Sequence, residues 1–140
     1  MFIDKLLQVS NEQAVTASAA STDVIDFGQV SPDVGMSDIA SMVITVDESA
    51  TAAGAATVTL SVQDSADNSS FADVAVTAAI GKATLVAGHQ HVIPMPTKLR
   101  RYCRVYYTVG TGPLTAGKFS AQIVTGIQQN VPKPDSSRIA

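Results

Sequence analysis

The sequence predicts an all-β domain, an antiparallel β-sandwich or jelly roll of about eight strands. Two observations lead there. Apolar residues recur with a period of two rather than 3.6, and clusters of Gly, Pro, Asp, Asn and Ser break the chain at short intervals. No stretch carries the pattern of a long helix.

The strand-like runs follow in order. "AVTASAAS" (14–21) and "DVIDFG" (23–28) come first, then "SMVITV" (41–46), which aligns Met42, Ile44 and Val46. In "TVTLSVQ" (57–63), Val58, Leu60 and Val62 share a face, opposite Thr57, Thr59, Ser61 and Gln63. "FADVAVTAAI" (71–80) places Val74, Val76, Ala78 and Ile80 together. "HQHVIPM" (89–95), "LRRYCRVYYTV" (99–109) and "KFSAQIV" (118–124) complete the set, the last aligning Phe119, Ala121 and Ile123. Thr and Val suit such half-buried pleated surfaces. Turn chemistry separates the runs at 31–35, 47–54, 64–70, 80–82, 87–89 and 110–117. Pro94 and Pro96 would remove two donors from one edge of a strand, so that segment is expected to end a strand or to lie at a sheet margin.

At 140 residues the chain is long enough for one domain with a real core, not for two. Hydrophobic residues make up 46%, which excludes a disordered polypeptide. There is no Trp, however, and aromatics reach only 5%. An Ala/Val core buries less area per residue than a Leu/Phe core, at about 25 cal/mol per Å². The domain is therefore expected to bury further surface against a partner.

The reading divides the chain into an N-terminal arm (1–12), a sandwich domain (13–125) and a polar C-terminal tail (126–140) that carries Pro132 and Pro134. Phe2, Ile3, Leu6 and Leu7 form one apolar patch if a short helical turn forms near the start. Asp4 and Lys5 interrupt the opening apolar run, and neither a signal-peptide core nor a membrane-length segment is seen. The expectation is a protein made in the cytoplasm, with no membrane partner.

Searches for chemistry return little. One cysteine excludes an internal disulfide and a Cys-rich zinc site. His89 and His91 share a strand face, but a third ligand would have to come from elsewhere, and two ordinary surface histidines are the preferred reading. No carboxylate pair marks an acid/base couple, and the Gly/Ala loops lack the Lys-Ser/Thr of a phosphate loop. Cys103 points inward and reads as an inert small hydrophobe. No catalytic, cofactor-binding or metal-binding residue is assigned, and an enzyme is not expected.

One segment remains, "KLRRYCRVYYTVG" (98–110). It holds four of the nine Lys/Arg residues, all three tyrosines and the sole cysteine. By parity, Leu99, Arg101, Cys103, Val105, Tyr107 and Val109 share one face, core-like apart from Arg101, while Arg100, Tyr102, Arg104, Tyr106 and Thr108 fall on the other, a stripe of alternating Arg and Tyr. Such a stripe is either a solvated face with weak Arg–Asp pairs or a recognition face, because Arg and Tyr are enriched at interfaces. A net charge of −3 and the absence of a second basic cluster count against nucleic acid.

Three stretches resemble the small cement, or decoration, proteins of tailed-phage capsids, whose type member comes from a short-tailed Bordetella phage. They are "DKLLQVSNEQAVTASAASTDVIDFG" (4–28), "AAGAATVTLSVQDSADNSSFADV" (52–74) and "LRRYCRVYYTVGTGPLTAGKFSAQIV" (99–124). The resemblance implies a jelly roll that forms a homodimer on the outer surface of an icosahedral head. There it would staple neighbouring HK97-like major capsid protein subunits at two-fold and quasi-two-fold positions. On that reading Phe2, Ile3 and Leu6 anchor the arm, and Arg100, Tyr102, Arg104 and Tyr106 lie in an intersubunit contact. Two alternatives stay open: a tail or head-completion protein, and a carbohydrate-binding β-sandwich.

Overall fold

The computed structural model describes residues 2–34 and 40–127. After a 3-10 turn at Lys5–Leu7 come ten strands: β1 (Gln8–Ala14), β2 (Ala19–Ala20), β3 (Ile25–Asp26), β4 (Ala40–Thr51) and β5 (Thr57–Ser65), then β6 (Ala72–Val76), β7 (Ile80–Gly81), β8 (Gln90–Pro94), β9 (Tyr102–Gly110) and β10 (Ala116–Thr125). They form two antiparallel sheets. One has the order β1-β10-β4-β8, and the other the order β2-β9-β5-β6. The short β3 extends the edge that β2 begins, because both pair with β9. Likewise β7 continues the edge of β6 along β5. The chain passes from one sheet to the other at every step except within β2–β3 and β5–β6–β7, and with these two strand orders the sandwich is a jelly roll.

The alternation seen in the sequence places the core. Met42, Ile44 and Val46 of β4 lie opposite Ile123, Ala121 and Phe119 of β10 in register. From the second sheet Val58, Leu60 and Val62 pair with Val109, Tyr107 and Val105. All except half-buried Val109 belong to one buried cluster, which Leu85, Leu99 and Leu114 close from the loops. Tyr107 is the largest fully buried side chain among the described residues. Its ring lies 5.4 Å from that of Phe119, and its hydroxyl donates to Ser10 Oγ at 2.9 Å. That bond ties the two sheets together and satisfies the only polar atom of the side chain. As expected from its prolines, β8 is an edge strand and ends at Pro94.

Three sequence expectations need correction. The first strand is β1, which begins at Gln8, inside the segment read as an arm, and only two residues of 14–21 after Ala14 are extended. Two register shifts against β10 give β1 an extra residue each time, so its polarity pattern does not alternate. In 71–80, Val74 and Val76 do not face the core; both are exposed, and Ala75 packs inward instead. Ala75 pairs with Val62 and Asp73 with Gln63, which leaves Val74 as a bulge. Alternation tells which residues share a face, not which face is covered. Arg100 and Arg101 lie outside β9, which starts at Tyr102, so neither follows the parity of the strand. Of the expected tail, residues 128–140 lie outside the described residues.

Candidate functional site

The central strand β9 divides its side chains cleanly. Cys103, Val105 and Tyr107 are buried, and burial pushes the Cys103 thiol up to about 12, with the charge of Asp64 adding to the effect. Tyr102, Arg104 and Tyr106 are half-buried on the outer face. They pair in register with Ser65, Gln63 and Ser61 of β5. Arg104 is already held in place: its Nε donates to Gln63 Oε1 at 2.8 Å, and its guanidinium lies 3.7 Å from the centre of the Phe71 ring. Gln63 in turn donates to Asp73 at 2.9 Å. Tyr106 stands beside Ser61, whose other neighbour in register is the exposed Val76. The outcome is an ordered face on which aromatic, cationic and apolar groups alternate. Faces of this composition are common at protein interfaces.

The flanking arginines have partners of their own. Arg100 holds the buried Asp64 through its side chain, with Nη2 to Oδ1 at 2.6 Å, and through its own backbone N–H. Arg101 makes a two-pronged pair with Asp26, at 2.7 and 2.9 Å, on an exposed surface. That pairing, with the Gly28 N–H, holds the Asp26 carboxyl below its ordinary value. Arg100 is thus a capping residue of the sandwich more than a member of the stripe.

At the N-terminus Phe2, Ile3 and Leu6 are 98%, 54% and 83% exposed. Asp4 caps the 3-10 turn by accepting from Leu6 N–H at 2.9 Å, which holds the backbone at Leu6, while Phe2 and Ile3 precede the cap. Leu7 alone packs against the core. The sequence brings the apolar trio to one short segment, and the structure keeps it in water.

The outer face of the β1-β10-β4-β8 sheet holds a feature that the sequence reading missed. Ile3, Gln8, Asn11, Glu12, Thr45, Asp47, Gln90, Ser120 and Gln122 line a recess of about 350 Å³. Ser120 Oγ donates to Asp47 Oδ2 at 2.6 Å and accepts from the Glu12 N–H at 2.9 Å. Glu12 takes a left-handed conformation, φ 46°, at the second bulge of β1. Gln122 is only 2% exposed, and its Oε1, like that of Gln90, has no hydrogen-bond partner. A run such as "AQIV" gives no sign of this, since an outward Gln reads as solvated.

His89 and His91 lie with ring centres 6.2 Å apart, and burial followed by the charge of His89 pulls His91 below its ordinary value. Among the described residues no group of three His, Cys, Asp or Glu side chains is arranged to hold a metal ion.

Comparison with known proteins adds one match and one blank. No curated protein matches the chain. The model of the Bbp16 family matches residues 9–123, which run from the second residue of β1 to the last core residue of β10. The chain therefore belongs to the Bbp16 family, named for a Bordetella phage protein.

Proposed function

We propose that this protein is a capsid cement protein, a structural element that binds the outside of an icosahedral phage head and joins neighbouring HK97-like capsid subunits. Membership of a phage protein family narrows the setting. The observation that carries the reading is the exposed trio Phe2, Ile3 and Leu6 on a domain that is otherwise well packed. Three large apolar side chains exposed in one short segment, at and just before a capped turn, have a reason to persist if a partner covers them.

The outer face of β9 supplies a second contact. Tyr102, Arg104, Tyr106 and Val76 offer the aromatic and cationic groups that dominate interface energetics. A homodimer with two such faces would touch two shell subunits at once. Modest single contacts then add up through effective concentration. No chemistry is assigned to the chain; it works as mortar on the virion surface.

The test is rebinding. Heads stripped of the protein are mixed with wild type or with a variant lacking residues 2–6, and sedimented. Wild type is expected to pellet with the heads and the truncated chain to stay in solution. Equal pelleting of both would remove the apolar segment from the account.

A further inference from the structure

The polar recess on the β1-β10-β4-β8 sheet is assigned to no contact above. Every strand of that sheet contributes to it: Glu12 from β1, Ser120 and Gln122 from β10, Thr45 and Asp47 from β4, and Gln90 from β8. The floor is unusual. Gln122 is 2% exposed, yet its carbonyl oxygen has no donor, and the carbonyl oxygen of Gln90, which also lines the recess, has none either. Buried acceptors are nearly always satisfied, so two in the lining of one depression suit a ligand that donates hydrogen bonds. The walls agree in sign. Asp47 and Glu12 bring carboxylates, and no Lys, Arg or His lines the recess. Lys5 donates to Gln8 Oε1 at 3.1 Å, at the rim.

We infer that this recess binds the guanidinium group of an arginine side chain from a partner polypeptide. The ligand must donate several hydrogen bonds in different directions, carry positive charge and fill far more space than a bare metal ion. A guanidinium offers five N–H donors in a plane and is weakly hydrated, so it enters such a site at lower desolvation cost than an ammonium. Asp47 and Glu12 neutralise it, the Gln122 and Gln90 carbonyl oxygens accept hydrogen bonds from its remaining N–H groups, and Ile3 covers the methylene stem. The recess stands on its own geometry. Only the identity of the partner, a capsid subunit, rests on the function proposed above.

The experiment uses the full chain labelled with ¹⁵N and follows its amide spectrum during titration with N-acetyl-arginine methylamide. Saturable shifts are expected at the side-chain amides of Gln90 and Gln122 and at the backbone amides of Glu12 and Ser120, with a Kd of about 1–10 mM for so small a probe. The neutral isostere N-acetyl-citrulline methylamide should give none, and Asp47→Asn should weaken the arginine probe about tenfold or more. Gln122→Met, which keeps the volume and removes the acceptor, should abolish the shifts; it decides the matter if Asp47→Asn does not give a folded spectrum. Absent or non-saturable shifts, equal shifts with citrulline, or displacement of the probe by millimolar calcium would overturn the assignment. Head rebinding then addresses the partner separately. Loss of rebinding by Gln122→Met supports a shell arginine, and unchanged rebinding by a variant that no longer binds the probe excludes it.

Discussion

Arg100 and Asp64 stand 36 positions apart in the chain and make four hydrogen bonds, three from the guanidinium and one from the Arg100 backbone N–H. Asp64 is 3% exposed, so its carboxylate depends on that partner for nearly all its compensation. Arg100→Ala would leave a buried charge unpaired, and a fall in Tm of several degrees is expected. Arg101→Ala removes only an exposed pair and should leave Tm close to wild type. Thermal melts of the two variants side by side check this; equal Tm values would mean that Arg100 is not structural.

Arg104 is the member of the stripe with a preset geometry, fixed by Gln63 and Phe71. Arg104→Ala should weaken the partner contact about tenfold or more, as truncation of an interface arginine commonly does. Its circular dichroism should stay that of a β-protein. Wild-type occupancy on particles carrying the variant would take Arg104 out of the contact.

The burial of Cys103 and Tyr107 predicts an alkaline limit. Their ordinary values of 9.0 and 10.0 are both pushed up to about 12 in the folded chain, by burial first in each case. As pH rises the unfolded chain loses these protons first, so the contribution of these two groups is constant below about pH 9 and declines between about 9 and 12. Urea midpoints measured from pH 7 to 11 should show this. Cys103→Ala should lose the part of the decline that begins near pH 9 and keep the part that begins near pH 10. A midpoint unchanged to pH 11 would contradict the burial of both groups.

Gln122 predicts a stability gain from a loss of binding. A buried acceptor without a donor costs about 1–3 kcal/mol, and Gln122→Met removes it at nearly constant volume. The variant should therefore unfold at higher urea concentration, with a gain of about 1–2 kcal/mol. A loss of stability of that size would show that the Gln122 amide is already satisfied.

Much of this was legible from period alone. The core faces of β4, β5, β9 and β10 follow from alternation, because long central strands with one covered side must keep it. Strand β1 was not legible, since its bulges break the alternation and its residues Asn11, Glu12 and Gln13 look like a loop. Alternation groups Val74 and Val76 on one face, but two valines and an intervening alanine give no hint that the alanine packs inward. Asp64 gave no sign of its bond to Arg100, and the recess combines residues from four strands that only the topology brings together. Contacts between distant segments leave no local period to read.

The proposed role as shell mortar requires many copies of the chain on each particle. Its most direct test is a stained gel of purified particles, with the molar amount of this 140-residue chain compared with that of the main shell subunit. The account predicts a band on the molar scale of the shell subunit. A band at the level of the connector or tail components would contradict it and assign the protein to head completion or the tail.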